Sequence, residues 1–168
     1  MSRHKTPKAH KAHKAAPGPA ITADTPCPCG LGKPYVRCCG VFHGYGAPAA
    51  AAAAPAPTAP TAELLMRSRY SAFALGNAAY LLSSWHTSTR PTRLDLDPAQ
   101  RWQRLEILGT TEGGPFHAEG TVEFRAHFSE HGHPDVLQEN SRFVRSGGAW
   151  VYLDAIEPPV TPPAGQRP

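Results

Sequence analysis

The sequence predicts an α+β fold in which a curved antiparallel sheet packs on N-terminal helices, preceded by a small metal-binding module. Two patterns predict the main domain. Apolar residues recur at helical spacing within residues 62–75, and apolar and polar residues alternate from residue 121 to residue 128. A third observation predicts the module, because all four cysteines of the chain lie within residues 27–39.

Positive charge is concentrated near the N-terminus. The net charge of the chain is +4, yet residues 1–40 carry seven basic residues and one acidic residue. The sequence lacks both the apolar run that spans a membrane and the apolar stretch of a signal peptide. We therefore expect a cytoplasmic protein without a membrane partner. In that compartment clustered cysteines bind metal more often than they form disulfides.

Residues 1–26 are predicted to form a disordered basic arm. The Lys-, His- and Ala-rich stretch at residues 8–14 has no apolar face, which is typical of a solvated tail. The alternative is weak contact with RNA, such as a ribosomal surface, through neutralisation of phosphates. Such contact would be independent of base sequence, because the arm has no aromatic residue for base stacking.

Residues 27–46 are predicted to form a metal-binding module. The segment has too little apolar bulk to fold by burying a core, and its cysteines follow the pattern Cys-x-Cys, eight residues, Cys-Cys. Glycines after the first pair allow sharp bends, and helical turns over residues 33–39 return the second pair to the first. Four thiolates make the closed tetrahedral site of structural zinc, and the same ligands suit iron. The predicted ligands are Cys27, Cys29, Cys38 and Cys39.

The stretch Cys-Pro-Cys-Gly-Leu-Gly-Lys-Pro-Tyr-Val-Arg-Cys-Cys at residues 27–39 resembles the SEC-C motif, which ends the SecA translocation ATPase and recurs in small bacterial proteins. The resemblance implies that the four cysteines bind zinc and that the module docks a protein or ribosomal partner. Leu31 and Val36 depart from the usual Ser and Lys of the motif, and the missing Lys weakens the case for an electrostatic interface. We expect His43, just beyond, to be a surface or packing residue rather than a ligand.

The Ala- and Pro-rich residues 47–60 are predicted to form a linker, since repeated prolines favour an extended spacer. The module and the main domain can therefore lie apart, and loss of the metal should unfold residues 27–46 and leave the main domain folded. That domain spans residues 61–157. A proline-rich tail at residues 158–168 is predicted to be disordered.

The main domain begins with predicted helices. The first runs over residues 62–75 with Thr61 as its cap, a second follows Asn77, and a third begins at Pro98 and carries Trp102 on its apolar side. The first helix places three apolar side chains on one face: Met66, Tyr70 and Phe73.

Predicted strands follow the helices. Residues 105–111 begin the sheet, residues 121–128 form the next strand, and residues 137–144 and 149–156 form a hairpin around Ser146-Gly147-Gly148. Helices followed by antiparallel strands favour a curved sheet wrapped on the helices.

A second resemblance is carried by five stretches of this domain: Leu65-Met66-Arg67-Ser68-Arg69-Tyr70-Ser71-Ala72-Phe73, Tyr80-Leu81, Trp85-His86, Ser141-Arg142-Phe143 and Trp150-Val151-Tyr152-Leu153-Asp154. They are similar to the YchJ (UPF0225) family. The resemblance implies a nuclear-transport-factor-two-like, or cystatin-like, domain, which is a cone of bent sheet around helices that often holds a pocket. It implies a zinc-binding adaptor and no established enzymatic activity.

Several polar residues are candidates for lining this cone. The pocket candidates are Arg67, Arg69, Tyr70, Trp85, Arg142 and Tyr152. The catalytic candidates are His86, His127 and Asp154, because a His beside a buried Asp can act as a general base in a small hydrolase, isomerase or lyase. The alternative is structural: the arginines pair with Glu63, Glu139 or Asp154 and hold helix to sheet. His127 should face away from the side that Phe128 occupies.

Overall fold

The computed structural model describes residues 21–46 and 56–156. Its α-helices are α1 (Cys39–Phe42), α2 (Ala62–Ala74) and α3 (Ala78–Ser83), and its strands are β1 (Gln100–Glu112), β2 (Glu119–Glu130), β3 (His133–Ser146) and β4 (Ala149–Ala155). Most of the predicted arm and linker, and all of the predicted tail, lie outside the described residues. None of the helices in the described ranges has the length and apolar character needed to cross a membrane.

The four strands form one antiparallel sheet in the order β1-β2-β3-β4. The register shifts between Trp102 and Arg104, between Ile107 and Gly109, and between Arg142 and Phe143. Bulges of this kind increase the local twist, which favours a curved sheet. The predicted α+β class, with helices before an antiparallel sheet, is confirmed.

The core lies between α2 and the inner face of the sheet. Met66 and Tyr70 of α2 are buried there as predicted, while Phe73 is partly exposed. The predicted alternation of apolar and polar faces in β2 is confirmed, because the inward-facing residues are all buried: Val122, Phe124, Ala126 and Phe128. The inner face of β2 therefore provides the floor of the core.

Both predicted helix caps are present. The Thr61 hydroxyl accepts a hydrogen bond from the Leu64 amide at 3.2 Å, and the Asn77 side chain accepts one from the Tyr80 amide at 3.0 Å. These bonds satisfy amide groups that have no partner within the first turn of each helix.

The prediction of a helix that begins at Pro98 is wrong, because residues 100–112 form strand β1. Trp102 and Leu105 have the spacing of one helical face, but a bulge at Gln103 produces the same spacing in the strand. Trp102 pairs with Phe128 and Leu105 pairs with Ala126, so both apolar residues face the core. A strand with a bulge therefore imitates the three-residue step of a helix.

Candidate metal centre

The cysteine module is built on a short hairpin. Backbone hydrogen bonds of 2.9 Å and 2.8 Å join residues 25–27 to residues 33–35. Gly30 lies in the loop between them with φ of +81°, a conformation that favours glycine. A 3₁₀ turn over Tyr35–Arg37 then leads into α1. This path carries the second pair of cysteines back to the first.

The structure brings the four predicted ligands into one cluster. The Sγ atoms of Cys27, Cys29, Cys38 and Cys39 all lie within 4.8 Å of one another, and those of Cys29 and Cys38 are 3.5 Å apart. A tetrahedral zinc site with Zn–S bonds of about 2.3 Å has sulfurs about 3.8 Å apart. Cys27, Cys29 and Cys39 are buried, and Cys38 is partly exposed. The cluster therefore fits one metal ion.

Hydrogen bonds between these neighbouring thiols shift their pKa values in opposite directions. Hydrogen bonds with Cys29 and Cys39 lower the pKa of Cys27. The bond with Cys27 raises the pKa of Cys29 to about 12 and also raises the pKa of Cys39. Four thiolates at this spacing need a compensating positive charge, which a divalent cation supplies as the thiols release their protons.

The cluster contacts one face of α2 directly. The Arg67 guanidinium donates to the Cys29 carbonyl at 3.0 Å, and the Ser71 hydroxyl lies 3.5 Å from the Cys27 sulfur. Leu75 packs against the cysteine cluster from the end of the same face. The structure thus differs from the expectation that the linker lets the module and the domain lie apart, because the small side chain of Ser71 lets the Cys27 sulfur approach α2.

His43 forms a second contact between the module and α2. Its Nε2 lies 3.0 Å from the Ser68 carbonyl, and its Nδ1 lies 2.7 Å from the Tyr35 hydroxyl. Because a carbonyl only accepts, Nε2 carries the proton and Nδ1 accepts from Tyr35. Burial lowers the pKa of His43, which favours this neutral ring. His43 therefore packs at the junction and lies outside the sulfur cluster.

The opposite face of α2 lines a cavity of about 300 Å³. Four of the predicted pocket residues line it: Arg69, Tyr70, Trp85 and Tyr152. Sequence reasoning missed several others, including Gln100, Glu139 and Ser141. Glu139 pairs with Phe124 in the sheet and so shares its inner face, which is known only from the register of β3 against β2.

The remaining arginine candidates form ion pairs outside the cavity. Arg67 pairs with Glu63 at 2.8 Å, and Arg142 pairs with Asp154 at 2.7 Å. The hydrogen bond from Arg142 lowers the pKa of Asp154. These two pairs have the partners that the structural alternative expects, but one lies within α2 and the other joins neighbouring strands, so neither holds helix to sheet.

The two histidine candidates also lie outside the cavity lining. His86 bonds with the Ser88 hydroxyl at 2.6 Å. His127 lies on the other face of the sheet from Phe128, 3.2 Å from the Glu106 carboxylate, and this hydrogen bond lowers the pKa of Glu106. Neither histidine is among the residues that line the cavity, although the His86 backbone amide donates to the Tyr152 carbonyl at 2.7 Å.

Known proteins resemble both parts of the chain. Residues 61–155 match the family model of the YchJ middle NTF2-like domain. A UPF0225 protein of Streptomyces coelicolor is 55% identical over 129 residues, covering 77% of this chain and 93% of that protein. A UPF0225 protein of Xanthomonas oryzae pv. oryzae is 48% identical over 140 residues, covering 82% of this chain and 98% of that protein.

Two solved structures of SEC-C motif containing proteins are also similar. The solution structure from Rhodopseudomonas palustris has a TM-score of 0.63 at 31% identity and covers 79% of this chain and 98% of its own. The crystal structure from Psychrobacter arcticus has a TM-score of 0.61 at 25% identity and covers 86% of each chain. With the family match over the main domain and the relatives that align with most of the chain, the protein belongs to the YchJ (UPF0225) family.

Proposed function

We propose that this protein is a cytoplasmic zinc-binding adaptor, in which residues 27–46 bind one Zn²⁺ and dock a protein or ribosomal partner. The observation that carries the proposal is the sulfur cluster, whose four atoms lie within 4.8 Å of one another. A site closed by four sulfurs leaves no coordination position for a substrate, so the ion has a structural role. The likeness to two SEC-C motif containing proteins supports the same role.

The surface of the module suits a partner with apolar and acidic groups. Leu31, Val41 and Tyr45 are each about two-fifths exposed, at 40%, 39% and 41%. The exposed basic side chains of Lys33 and Arg37 lie on the same small module. Apolar contacts supply affinity, and basic groups steer acidic or phosphate-bearing partners.

The cavity does not favour the alternative of a hydrolase, isomerase or lyase with a histidine base. Among the described residues that line it there is no histidine. Contact of the basic arm with RNA remains a separate proposal, which rests on the charge of residues 1–26.

Metal content of the purified full-length protein tests the first half of the proposal. We expect about one zinc ion per chain for the wild type, as a closed four-cysteine site requires. Cys38→Ser should lose it, and this substitution disturbs packing least because Cys38 is the only one of the four cysteines that is partly exposed. Substantially less than one metal ion per wild-type chain would overturn the metal assignment.

Affinity capture from a bacterial lysate tests the second half. The bait proteins are the wild type, Cys38→Ser, and Leu31→Ser, which keeps the ligands but removes an exposed apolar side chain of the module. A partner of the module should be lost with both variants. Capture that is equal for all three baits would contradict docking through the module. Deletion of residues 1–26 separates any ribosome binding that depends on the basic arm.

A further inference from the structure

The cavity beside α2 contains a buried cation. Arg69 is 4% exposed, and its Nη1 donates to the Leu81 carbonyl and the Ser84 hydroxyl at 2.8 Å each. Its guanidinium lies against two aromatic rings that also contact each other, 5.0 Å from the centroid of Trp85 and 4.7 Å from that of Tyr152. These contacts fix the guanidinium in the cavity wall.

Arg69 has no counter-ion in direct contact. Among the described residues, its hydrogen bonds use Nη1 alone, and no carboxylate lies within 4.0 Å of the guanidinium. Burial lowers the pKa of Arg69 to about 10, so the side chain stays charged at neutral pH. A buried charge without a partner is costly, and a bound anion would relieve that cost.

Glu139 provides an opposite charge in the same cavity. One of its oxygens, Oε1, accepts hydrogen bonds from the Ser141 hydroxyl at 2.5 Å and the Tyr152 hydroxyl at 3.3 Å. Within the described part of the chain, Oε2 has no hydrogen-bond partner. Glu139 forms no ion pair with Arg69 within 4.0 Å among the described residues, although its charge acts to raise the pKa of Arg69 against the effect of burial. The two charges are therefore available to different ends of one ligand.

The rest of the cavity is small and mostly apolar. Its apolar lining includes Met66, Tyr70, Phe73, Trp102 and Phe124, and Gln100 is a further polar residue there. Its volume of about 300 Å³ is that of about ten water molecules in the liquid. The half-buried Trp85 also lines it, and its indole N–H is buried without a partner in the described residues. The space suits an apolar body of a few carbon atoms with polar groups at one end.

We propose that this cavity binds a small zwitterion with an apolar side chain, of the α-amino acid class. Its carboxylate binds the guanidinium of Arg69, and its ammonium binds the carboxylate of Glu139. Charge-assisted hydrogen bonds of this kind are the strongest that side chains form. A ligand with only one charge would leave either the buried Arg69 or the half-buried Glu139 without an opposite charge, so it binds less tightly. This site goes beyond the adaptor role and does not depend on the metal.

Calorimetric titration of the full-length protein tests the site with two matched ligand sets. One set is phenylalanine, 3-phenylpropanoate and phenethylamine, and the other is leucine, 4-methylpentanoate and 3-methylbutylamine. At least one amino acid should bind about ten-fold or more tightly than both of its singly charged analogues, the effect of one buried charge losing its partner. Failure of both amino acids to bind, or equal binding of the analogues, overturns the proposal.

Substitutions then test which residue binds the carboxylate of the ligand and which binds its ammonium. Arg69→Met should lower the affinity for the amino acid about ten-fold or more, whereas Arg142→Met, an arginine outside the cavity, should leave it unchanged. Glu139→Gln keeps the size of the side chain and should reduce the preference for the amino acid over its carboxylate analogue. If Arg69→Met does not fold, the Glu139→Gln variant and the ligand series on the wild type still test the proposed site. An unchanged preference in Glu139→Gln overturns the assignment of the ammonium site.

Discussion

Removal of the metal should lower the thermal stability of the main domain, although no cysteine belongs to that domain. The sulfur cluster and His43 both lie against α2, and α2 forms one side of the domain core. When the metal is lost, the module has little else to hold it folded, and its contacts with α2 are lost with it. The main domain should remain folded at room temperature but melt earlier.

The size of this effect follows from the contacts at the junction. Two hydrogen bonds cross it with good geometry, from His43 to the Ser68 carbonyl and from Arg67 to the Cys29 carbonyl. A neutral bond contributes about 0.5–1.5 kcal/mol and one from a charged group about 1.5–3 kcal/mol. Together the two bonds give a loss of about 2–4.5 kcal/mol, and exposure of Leu75 adds to it. For a domain of this size that corresponds to roughly 10–20 °C in Tm.

Tryptophan fluorescence measures this effect without interference from the module. All three tryptophans, Trp85, Trp102 and Trp150, lie in the main domain. Thermal melts are recorded before and after treatment with a zinc chelator, and metal analysis verifies removal. Cys38→Ser is the control, because it should melt at the lower temperature from the start and show no further shift. A wild-type Tm that does not change on verified removal would refute the coupling and support independent units.

Three further predictions concern single side chains. Gly40→Ala places a Cβ 2.7 Å from the Tyr35 carbonyl oxygen, so it should cost about 1–3 kcal/mol of module stability. Zinc should then be lost at a lower chelator concentration than from the wild type, and equal retention would contradict the packing. Burial lowers the pKa of His43, so the stabilisation by its neutral ring is complete above about pH 6.5 and is lost as the pH falls from there towards the folded pKa. His43→Gln should reduce the fall in Tm across that range, and parallel profiles for the two proteins would argue against it. Asp154→Asn removes an exposed pair with Arg142 and should cost less than about 1 kcal/mol in urea unfolding, so a much larger loss would show that the pair is more than a surface contact.

The cysteine cluster and the core of the sheet could be predicted from the sequence because their signals are local. Four cysteines in thirteen positions have few uses other than metal binding, and the alternation of β2 is a direct record of its two faces. The start of β1 could not be predicted, because the bulge at Gln103 gives a strand the apolar spacing of a helix. That distinction depends on pairing with β2, which no local pattern reports.

The junction between module and domain could not be predicted for a different reason. Its contacts join residues 38 and 44 positions apart, Cys29 with Arg67 and Cys27 with Ser71. Serine on a helix usually faces solvent, so Ser71 gives no sign of burial. The same difficulty applies to the cavity, where Glu139 becomes visible only once the register of β3 against β2 is known.

The composition of α2 becomes intelligible when both of its faces are considered together. One face carries Met66 and Tyr70 towards the sheet, and the other carries Ser71, which is 0% exposed and whose hydroxyl lies 3.5 Å from the Cys27 sulfur. A larger apolar residue at position 71 would bury more surface in the isolated domain, but it would hold the sulfurs away from the helix. The small polar residue at position 71 is therefore explained by the docked module, and the helix makes two packing contacts rather than one.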